Sequence, residues 1–505
     1  MTRKIGVILS YVLMLIEVLS TLILTPFIIR TLGQAEYGVY KLVIAINAYL
    51  LLLDLGVGNA IIRYIAKYRV EKNRIKERQF LAVATVFYIA VAVVALVTGI
   101  VLTSIFPSVF AKGLTDEEIK LGQTLLSITM INSAVTLATA SYNNILIAYE
   151  RFTVSKGASI IQIIVRMMLT YLALVAGLGS IGIVGVNLLT TIFGRYFFVL
   201  YDFFVIKLRP LFKGIDLLFI KDIVRYSSFV LLQMIATQIN SSVDQILIGS
   251  LVETSVTILA VYGVGTQIVQ YFQSIGSAFT GVLMPGIVKL VERNVTAEEL
   301  TDEMIRIGRI IFMVLSFIWC GFLVYGTEFV YLWAGEENIQ AYVVALMLMF
   351  AYIFILTEAI GSQILWARNQ HKEQAILKIA IVLLNIVLTV ILIHWDPLIG
   401  ATIGTFTSLV IGDVVVMNVI YKKKINISLK YYYKGILKGI IPCLIVTTVV
   451  GMLVDRNMPN GWIWFCPKIF IMIAVYAVTV FLFGMTEYEK NLVKSLFSKL
   501  NILKK

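Results

Sequence analysis

The sequence predicts an all-α membrane protein of fourteen transmembrane helices, built as two pseudo-symmetric six-helix lobes followed by a helix pair. Three observations carry that prediction: fourteen long apolar stretches, an alternation of lysine and arginine between them, and an echo of the first half in the second. Of the 505 residues, 60% are hydrophobic and only 14% charged, a composition that excludes an ordinary water-soluble helical protein.

The apolar stretches run over 5–28, 38–58, 80–104, 121–140, 158–178, 181–205, 226–249, 256–287, 307–325, 341–363, 375–394, 397–420, 436–454 and 464–484. Each reaches or approaches the ~20 apolar residues with which a helix crosses ~30 Å of hydrocarbon. Backbone amides cannot stay unpaired in lipid, so helices must fill them. The first stretch follows Thr2, Arg3 and Lys4 without a cleavage pattern, as expected of an uncleaved anchor.

Charge gives the stretches a direction. Of 42 basic residues, 34 fall at the amino terminus, in the gaps after even-numbered stretches or in the tail. The other gaps and their flanks hold Arg30, Lys41, Lys112, Lys120, Arg456 and Lys468, while Arg166 and Arg195 lie inside stretches. The positive-inside rule then places both termini in the cytoplasm and the protein in the cytoplasmic (inner) membrane. The net charge of +13 belongs to juxtamembrane runs such as 63–78 and 422–438, which face anionic lipids rather than nucleic acid. The tail 487–505 spaces Leu492, Leu496 and Leu500 among lysines, the pattern either of a helix on the inner leaflet or of a frayed basic end.

Several chemistries find no footing. Cys320, Cys443 and Cys466, with His371 and His394, lack any disulfide or metal-ligand spacing. No Gly-rich nucleotide loop ends in Lys-Ser or Lys-Thr. The outward gaps are short, and their acidic residues, Asp116, Glu117, Glu118, Glu336 and Glu337, have no base or nucleophile beside them. No covalent chemistry and no cofactor are therefore expected.

The halves echo each other. Residues 35–39 (Ala-Glu-Tyr-Gly-Val) recur as 260–264 (Ala-Val-Tyr-Gly-Val), an offset of 225; 144–148 recur as 363–367, an offset of 219; Gly182 and Gly194 recur as Gly400 and Gly412, an offset of 218. An even number of spans per copy makes the repeats parallel, related by an axis along the membrane normal. The expected organisation is a first lobe over 1–210, a second over 211–425, an added pair over 426–484 and a basic tail over 485–505.

The segment Arg30-Thr31-Leu32-Gly33-Gln34-Ala35-Glu36-Tyr37-Gly38-Val39-Tyr40 resembles the Leu-Gly…Tyr-Gly signature of Wzx-type polysaccharide flippases. Residues 54–64, 244–249 and Tyr331-Leu332-Trp333-Ala334-Gly335 are similar to later segments of that family in matching order. The resemblance spans about 5–430 and points to the multidrug/oligosaccharidyl-lipid/polysaccharide exporter superfamily. It implies a V-shaped pair of lobes exposing a central cavity alternately to each side, and an undecaprenyl-pyrophosphate-linked glycan as cargo. A lipid II-type flippase or a cation-coupled multidrug antiporter are the rivals within the superfamily. A membrane polymerase or ligase fits the short outer loops poorly. Polysaccharide polymerases and glycosyltransferases are the implied protein partners.

Polar residues at span depth mark candidate sites, because each charge there costs something like 2.5–3.5 kcal/mol on insertion scales. Arg166 and Arg195, on consecutive spans, suit a pyrophosphate; snorkelling, or a pairing of Arg195 with Asp202, are the structural alternatives. Glu17 is the candidate for H⁺ or Na⁺ coupling, with pairing to an arginine of its lobe as the competitor. Gln233, Thr237, Asn240 and Asp244 share one helical face, as do Gln267, Gln270, Ser274 and Ser277. Each stripe either lines a wet cavity or bonds helix to helix. Asp54, Glu358 and Asp413, near the cytoplasmic span ends, are expected in interface or salt-bridge roles rather than in contact with cargo.

Overall fold

A computed structural model describes residues 2–54, 56–213, 238–240, 242–253, 255–292, 295–368, 370 and 372–502. Those residues are helical with short connections, and no strand occurs among them. Among the described residues, ten helices are long and apolar enough to cross a membrane, or eleven counting one bent pair. The all-α membrane fold expected from the sequence is thus the observed one. The chain divides into two compact units, Met1–Gly263 with Val382–Gly404, and Val264–Ile381 with Thr405–Lys505.

In the first unit, α1 (Thr2–Leu51) contains the first expected stretch and part of the second. Its 50 residues would make a rod of ~75 Å, but Gly33 breaks it at φ 73°, ψ 173°, a conformation open to glycine. After α2 (Val57–Val70) come α3 (Arg74–Phe110) and α4 (Asp116–Ala138), which pack together. Thr115 and Glu118 close a capping box at the start of α4, satisfying otherwise orphaned amides. The short α5 (Ala140–Ala148) follows a break at Thr139. The paired α6 (Phe152–Val175) and α7 (Gly179–Tyr201) complete the set, α6 lying on α1 and α7 on α4.

A core of Ile61, Ile65, Phe80, Tyr88, Ile145 and Phe198 holds α2, α3, α5 and α7 together at one end. Beside it, Tyr149 between α5 and α6 donates to Glu77 Oε2 and receives a hydrogen bond from Arg74. Burial and the bond to the Glu77 carboxylate hold this phenol above its ordinary pKa.

In the second unit, α8 (Val256–Glu292) enters from the first. It is followed by α9 (Ala297–Ala334) and the bent pair α10 (Ala341–Thr357) and α11 (Ala359–Ala367). Next come α12 (Lys372–Leu392) and α13 (Pro397–Leu409), both shared between the units. A π-helical stretch Val410–Val416 leads to α14 (Met417–Ile425). Against α9 pack α15 (Leu429–Leu437) and α16 (Ile440–Asn457), and α17 (Trp462–Thr479) pairs with α16. The tail forms α18 (Glu487–Ile502). Of the expected spans, the seventh (226–249) lies mostly outside the described residues.

The sequence echo has a structural counterpart. The break after α4 falls at Thr139 and the break after α10 at Glu358, again 219 residues apart. The starts of α7 and α13, Gly179 and Pro397, differ by 218. Each of these two helices runs into a π-helical stretch, Asp202–Ile206 in one copy and Val410–Val416 in the other. Within the first unit, Gly38 and Gly263 of the two Tyr-Gly pairs both sit where α1 approaches residues 256–263. A Cβ on Gly38 would stand 2.0 Å from the Val256 carbonyl oxygen, and one on Gly263 would stand 2.8 Å from Lys41 Cγ. The Tyr-Gly signature therefore exists to let α1 touch the backbone at the start of α8.

Replacing Gly38 by Val should lower stability by about 1–3 kcal/mol through overpacking against backbone that cannot yield. Gly157→Ala, where a Cβ meets nothing within 4 Å, should leave it unchanged. Thermal unfolding in detergent compares the two.

Candidate functional site

On the first unit, α1, α6 and α7 enclose a polar pocket of about 210 Å³. Ser20, Thr21 and Thr25 come from α1, Arg166 and Thr170 from α6, and Asn187 from α7. Tyr40, the last residue of the Leu-Gly…Tyr-Gly segment, also lines it and interacts electrostatically with Arg166. The hydroxyls of Ser20 and Thr21 both donate back to the Glu17 carbonyl, at 3.0 and 2.8 Å, and Thr25 donates to the Thr21 carbonyl at 2.7 Å. Their protons are therefore spent on their own helix.

Arg166 is different. It is half-buried, and among the described residues it donates no hydrogen bond and forms no ion pair. A guanidinium carries five donors and cannot be neutralised in a protein. Without a protein counter-charge it is a standing demand for an anion.

Arg195 does not share this pocket. Asn187 lines the pocket, and Arg195 lies eight residues further along α7, a displacement of ~12 Å. Its partners are Asp54 and Tyr88, which attract it electrostatically, and Tyr88 in turn donates to Asp54 Oδ1 at 2.7 Å. Asp202 is buried with neither carboxyl oxygen hydrogen-bonded, so Asp54 rather than Asp202 compensates Arg195. Arg166 lies fourteen residues into α6, which starts at Phe152.

Glu17 is exposed, one turn before Ser20 and Thr21 on α1. It makes no ion pair with Arg166 or any other described residue. Its side chain does not line the pocket.

The two polar stripes have different surroundings. Gln233 and Thr237 lie outside the described residues. Asp244 is buried and accepts from Tyr262 at 2.6 Å and from Thr389 at 3.0 Å. Asn240 accepts from Asn385 at 3.3 Å. This part of the stripe joins its helix to α8 and α12 inside the first unit. On α8, Gln270 and Ser277 are exposed, and Gln267 and Ser274 are half-buried. Gln267 donates to Gln270 at 3.4 Å and Ser274 to the Gln270 carbonyl at 2.8 Å. This face of α8 in the second unit remains accessible and polar.

Two further acidic residues at membrane depth have side-chain partners. Lys378 binds Asp413 at 2.7 Å. Glu358, at the α10–α11 break, accepts from Tyr433 and, at 3.0 Å, from Asn418. Sequence reasoning missed two buried clusters in the second unit. Arg309 binds Glu489 at 2.9 Å and donates to the carbonyls of Gly435, Lys438 and Gly484, fastening the tail helix α18 to α9. Lys468, fully buried, binds Glu328 at 2.7 Å and Asp455 at 2.8 Å. Placing Arg309 at the edge of a span beginning at 307 hid the first, since α9 actually begins at Ala297.

The long apolar helices and their internally satisfied charges define a multi-pass membrane protein, and its fold recurs in known transporters. The chain aligns with the lipid II flippase MurJ in an inward closed conformation at a TM-score of 0.73 and 17% identity, covering 97% of this chain and 100% of that one. It aligns with an inward-facing multidrug resistance MATE family transporter of the MOP superfamily at 0.59 and 17% identity, over 80% and 96%. A MOP superfamily transporter from Pyrococcus furiosus with a binding pocket of reverse polarity aligns at 0.52 and 18% identity, over 83% and 96%. No curated protein sequence matches the chain. A family model described as polysaccharide biosynthesis protein matches residues 3–291, more than half of the chain, and the protein belongs to that family. The resemblance read from residues 30–40 thus led to the correct family and fold.

Arg195 and Arg166 should separate experimentally. Arg195→Ala strands the Asp54 carboxylate and should lower stability by about 1–3 kcal/mol, with partial recovery in Arg195→Ala/Asp54→Asn. Arg166→Ala breaks no hydrogen bond or ion pair among the described residues and should unfold close to the wild-type temperature in the same detergent.

Proposed function

We propose that the protein is a flippase. It translocates an undecaprenyl-pyrophosphate-linked oligosaccharide from the inner to the outer leaflet of the cytoplasmic membrane, for cell-surface polysaccharide synthesis. The observation that carries the reading is Arg166: a half-buried guanidinium at membrane depth, without a protein counter-charge, in a pocket walled by Tyr40, Asn187 and hydroxyls. An arginine grips a phosphoryl group through paired, charge-assisted hydrogen bonds. Membership in a polysaccharide biosynthesis family supports a glycan on that phosphoryl group. The accessible Gln267, Gln270, Ser274 and Ser277 face offers donors and acceptors suited to sugar hydroxyls. Both termini lie in the cytoplasm in this reading, as the charge alternation requires.

The translocation needs no bond to be made or broken. Its work is to carry a polar head past hydrocarbon while the prenyl chain stays in lipid, through alternating exposure of the head site to the two leaflets. Unpaired carboxyls at Glu17 and Asp202 are the available seats for a coupling ion. A lipid II-type flippase would use the same head-group chemistry with a different sugar, and the likeness to MurJ keeps that cargo as the second reading.

Reconstitution in vesicles tests the proposal with a labelled prenyl-pyrophosphate oligosaccharide whose outer-leaflet exposure is followed by enzymatic trimming. Wild-type protein should accelerate its exposure. Arg166→Ala should slow it by at least about tenfold, the loss of one charge-assisted contact, and Arg166→Lys should fall between. No acceleration by wild type, together with export of cationic drugs, would replace the flippase reading with the antiporter.

A further inference from the structure

Glu36, inside the Leu-Gly…Tyr-Gly segment, reaches across to another helix. Its Oε1 accepts hydrogen bonds from both the backbone amide and the hydroxyl of Ser180, each at 2.6 Å, 144 positions along the chain. Ser180 is fully buried in the first turn of α7, so a carboxylate of α1 caps that helix. The approach is close. Gly179 takes φ +56°, and a Cβ there would stand 2.6 Å from Glu36 Oε1.

The second copy caps the corresponding helix by another route. Ahead of α13, Asp396 Oδ1 accepts from the amides of Leu398 and Ile399 at 2.9 and 2.7 Å. At the offset of 218 Asp396 corresponds to Leu178, and at the offset of 225 Glu36 corresponds to Val261. Leu178 supplies no side-chain cap to α7. A local aspartate is enough to cap such a helix, as α13 shows. What the bond from Glu36 adds is a tie between α1 and α7, which otherwise pack mainly on α4 and α6 and less on each other.

That tie bears on the Arg166 pocket. Tyr40 stands one turn after Glu36 on α1, while Ile183 and Asn187 stand one and two turns after Ser180 on α7. All three line the pocket, and Glu36 itself does not. Gly33 breaks α1 three residues before Glu36, so the Tyr40 wall is not set by a continuous helix running on from Ser20, Thr21 and Thr25.

We propose that Glu36 is a positioning residue for the anion site. Its bond to Ser180 holds the Tyr40 and Asn187 walls at the spacing in which a phosphoryl group meets Arg166. The inference rests on the head-group reading above.

Two variants in nanodiscs separate positioning from capping. Glu36→Ala removes the tie and the cap together. Glu36→Ala/Leu178→Asp removes the tie but gives α7 the local cap that α13 has, at an exposed position in the turn before the helix. The readouts are thermal unfolding, affinity for a short-chain prenyl pyrophosphate, and amide hydrogen exchange over residues 34–40. Glu36→Ala should lower the unfolding temperature, weaken binding about tenfold, the scale of one hydrogen bond to a charged group, and speed exchange over 34–40. The double variant should regain the wild-type unfolding temperature while binding stays weak and exchange stays fast. It also carries the test if Glu36→Ala alone does not fold.

Recovery of affinity together with stability in the double variant would reduce Glu36 to a cap and overturn the proposal, as would wild-type affinity in Glu36→Ala. Failure of wild type to bind would instead overturn the head-group reading. Faster exchange over 34–40 in both variants would then still establish the tie between the two walls.

Discussion

A charge held in hydrocarbon has to be answered, and that constraint organises this protein. Asp413 is answered by Lys378, Arg309 by Glu489 and Lys468 by Glu328 and Asp455, and Arg195 is attracted electrostatically by Asp54. Each pair ties together segments distant in sequence, so the cost of burying charge is converted into tertiary structure. Glu358 follows the same logic with neutral donors, Tyr433 and Asn418. Carboxyl groups left over can shed their charge by taking a proton; a guanidinium cannot. Arg166 meets no carboxylate among the described residues and lines a pocket open to a ligand.

The pocket around Arg166 is a by-product of how α1 is built. Glycine breaks α1 at Gly33, and Gly38 lets the following segment press onto the Val256 backbone. Tyr40, two residues on, then reaches the pocket to which Ser20, Thr21 and Thr25 contribute from before the break. The family-like Leu-Gly…Tyr-Gly segment thus has two roles. It fixes packing through Gly38 and furnishes the site through Tyr40.

Much of the fold was legible in the sequence, because the bilayer imposes both a minimum length on apolar helices and a sign rule on their connections. The repeat was legible from a handful of glycines, and the helix breaks at Thr139 and Glu358 follow its offset. Pairing was not. Nothing local in the sequence says that Arg195 answers to Asp54, 141 positions away, or that Arg309 reaches Glu489. The stripe ending at Asp244 illustrates a second limit. Helical periodicity shows that polar residues share a face but not what the face meets, and here Tyr262 and Thr389 meet Asp244. Helix starts were a third limit. The stretch starting at 307 put Arg309 at its edge, whereas α9 starts at Ala297 and carries Arg309 well inside.

The account turns on one cation being kept for a ligand. Titration of the purified protein in nanodiscs with a short-chain prenyl pyrophosphate, followed by calorimetry across a range of salt concentrations, addresses it most directly. Saturable binding that weakens with salt and is lost in Arg166→Ala, with the fold intact by thermal unfolding, is the expected result. Equal affinity in wild type and Arg166→Ala would contradict it.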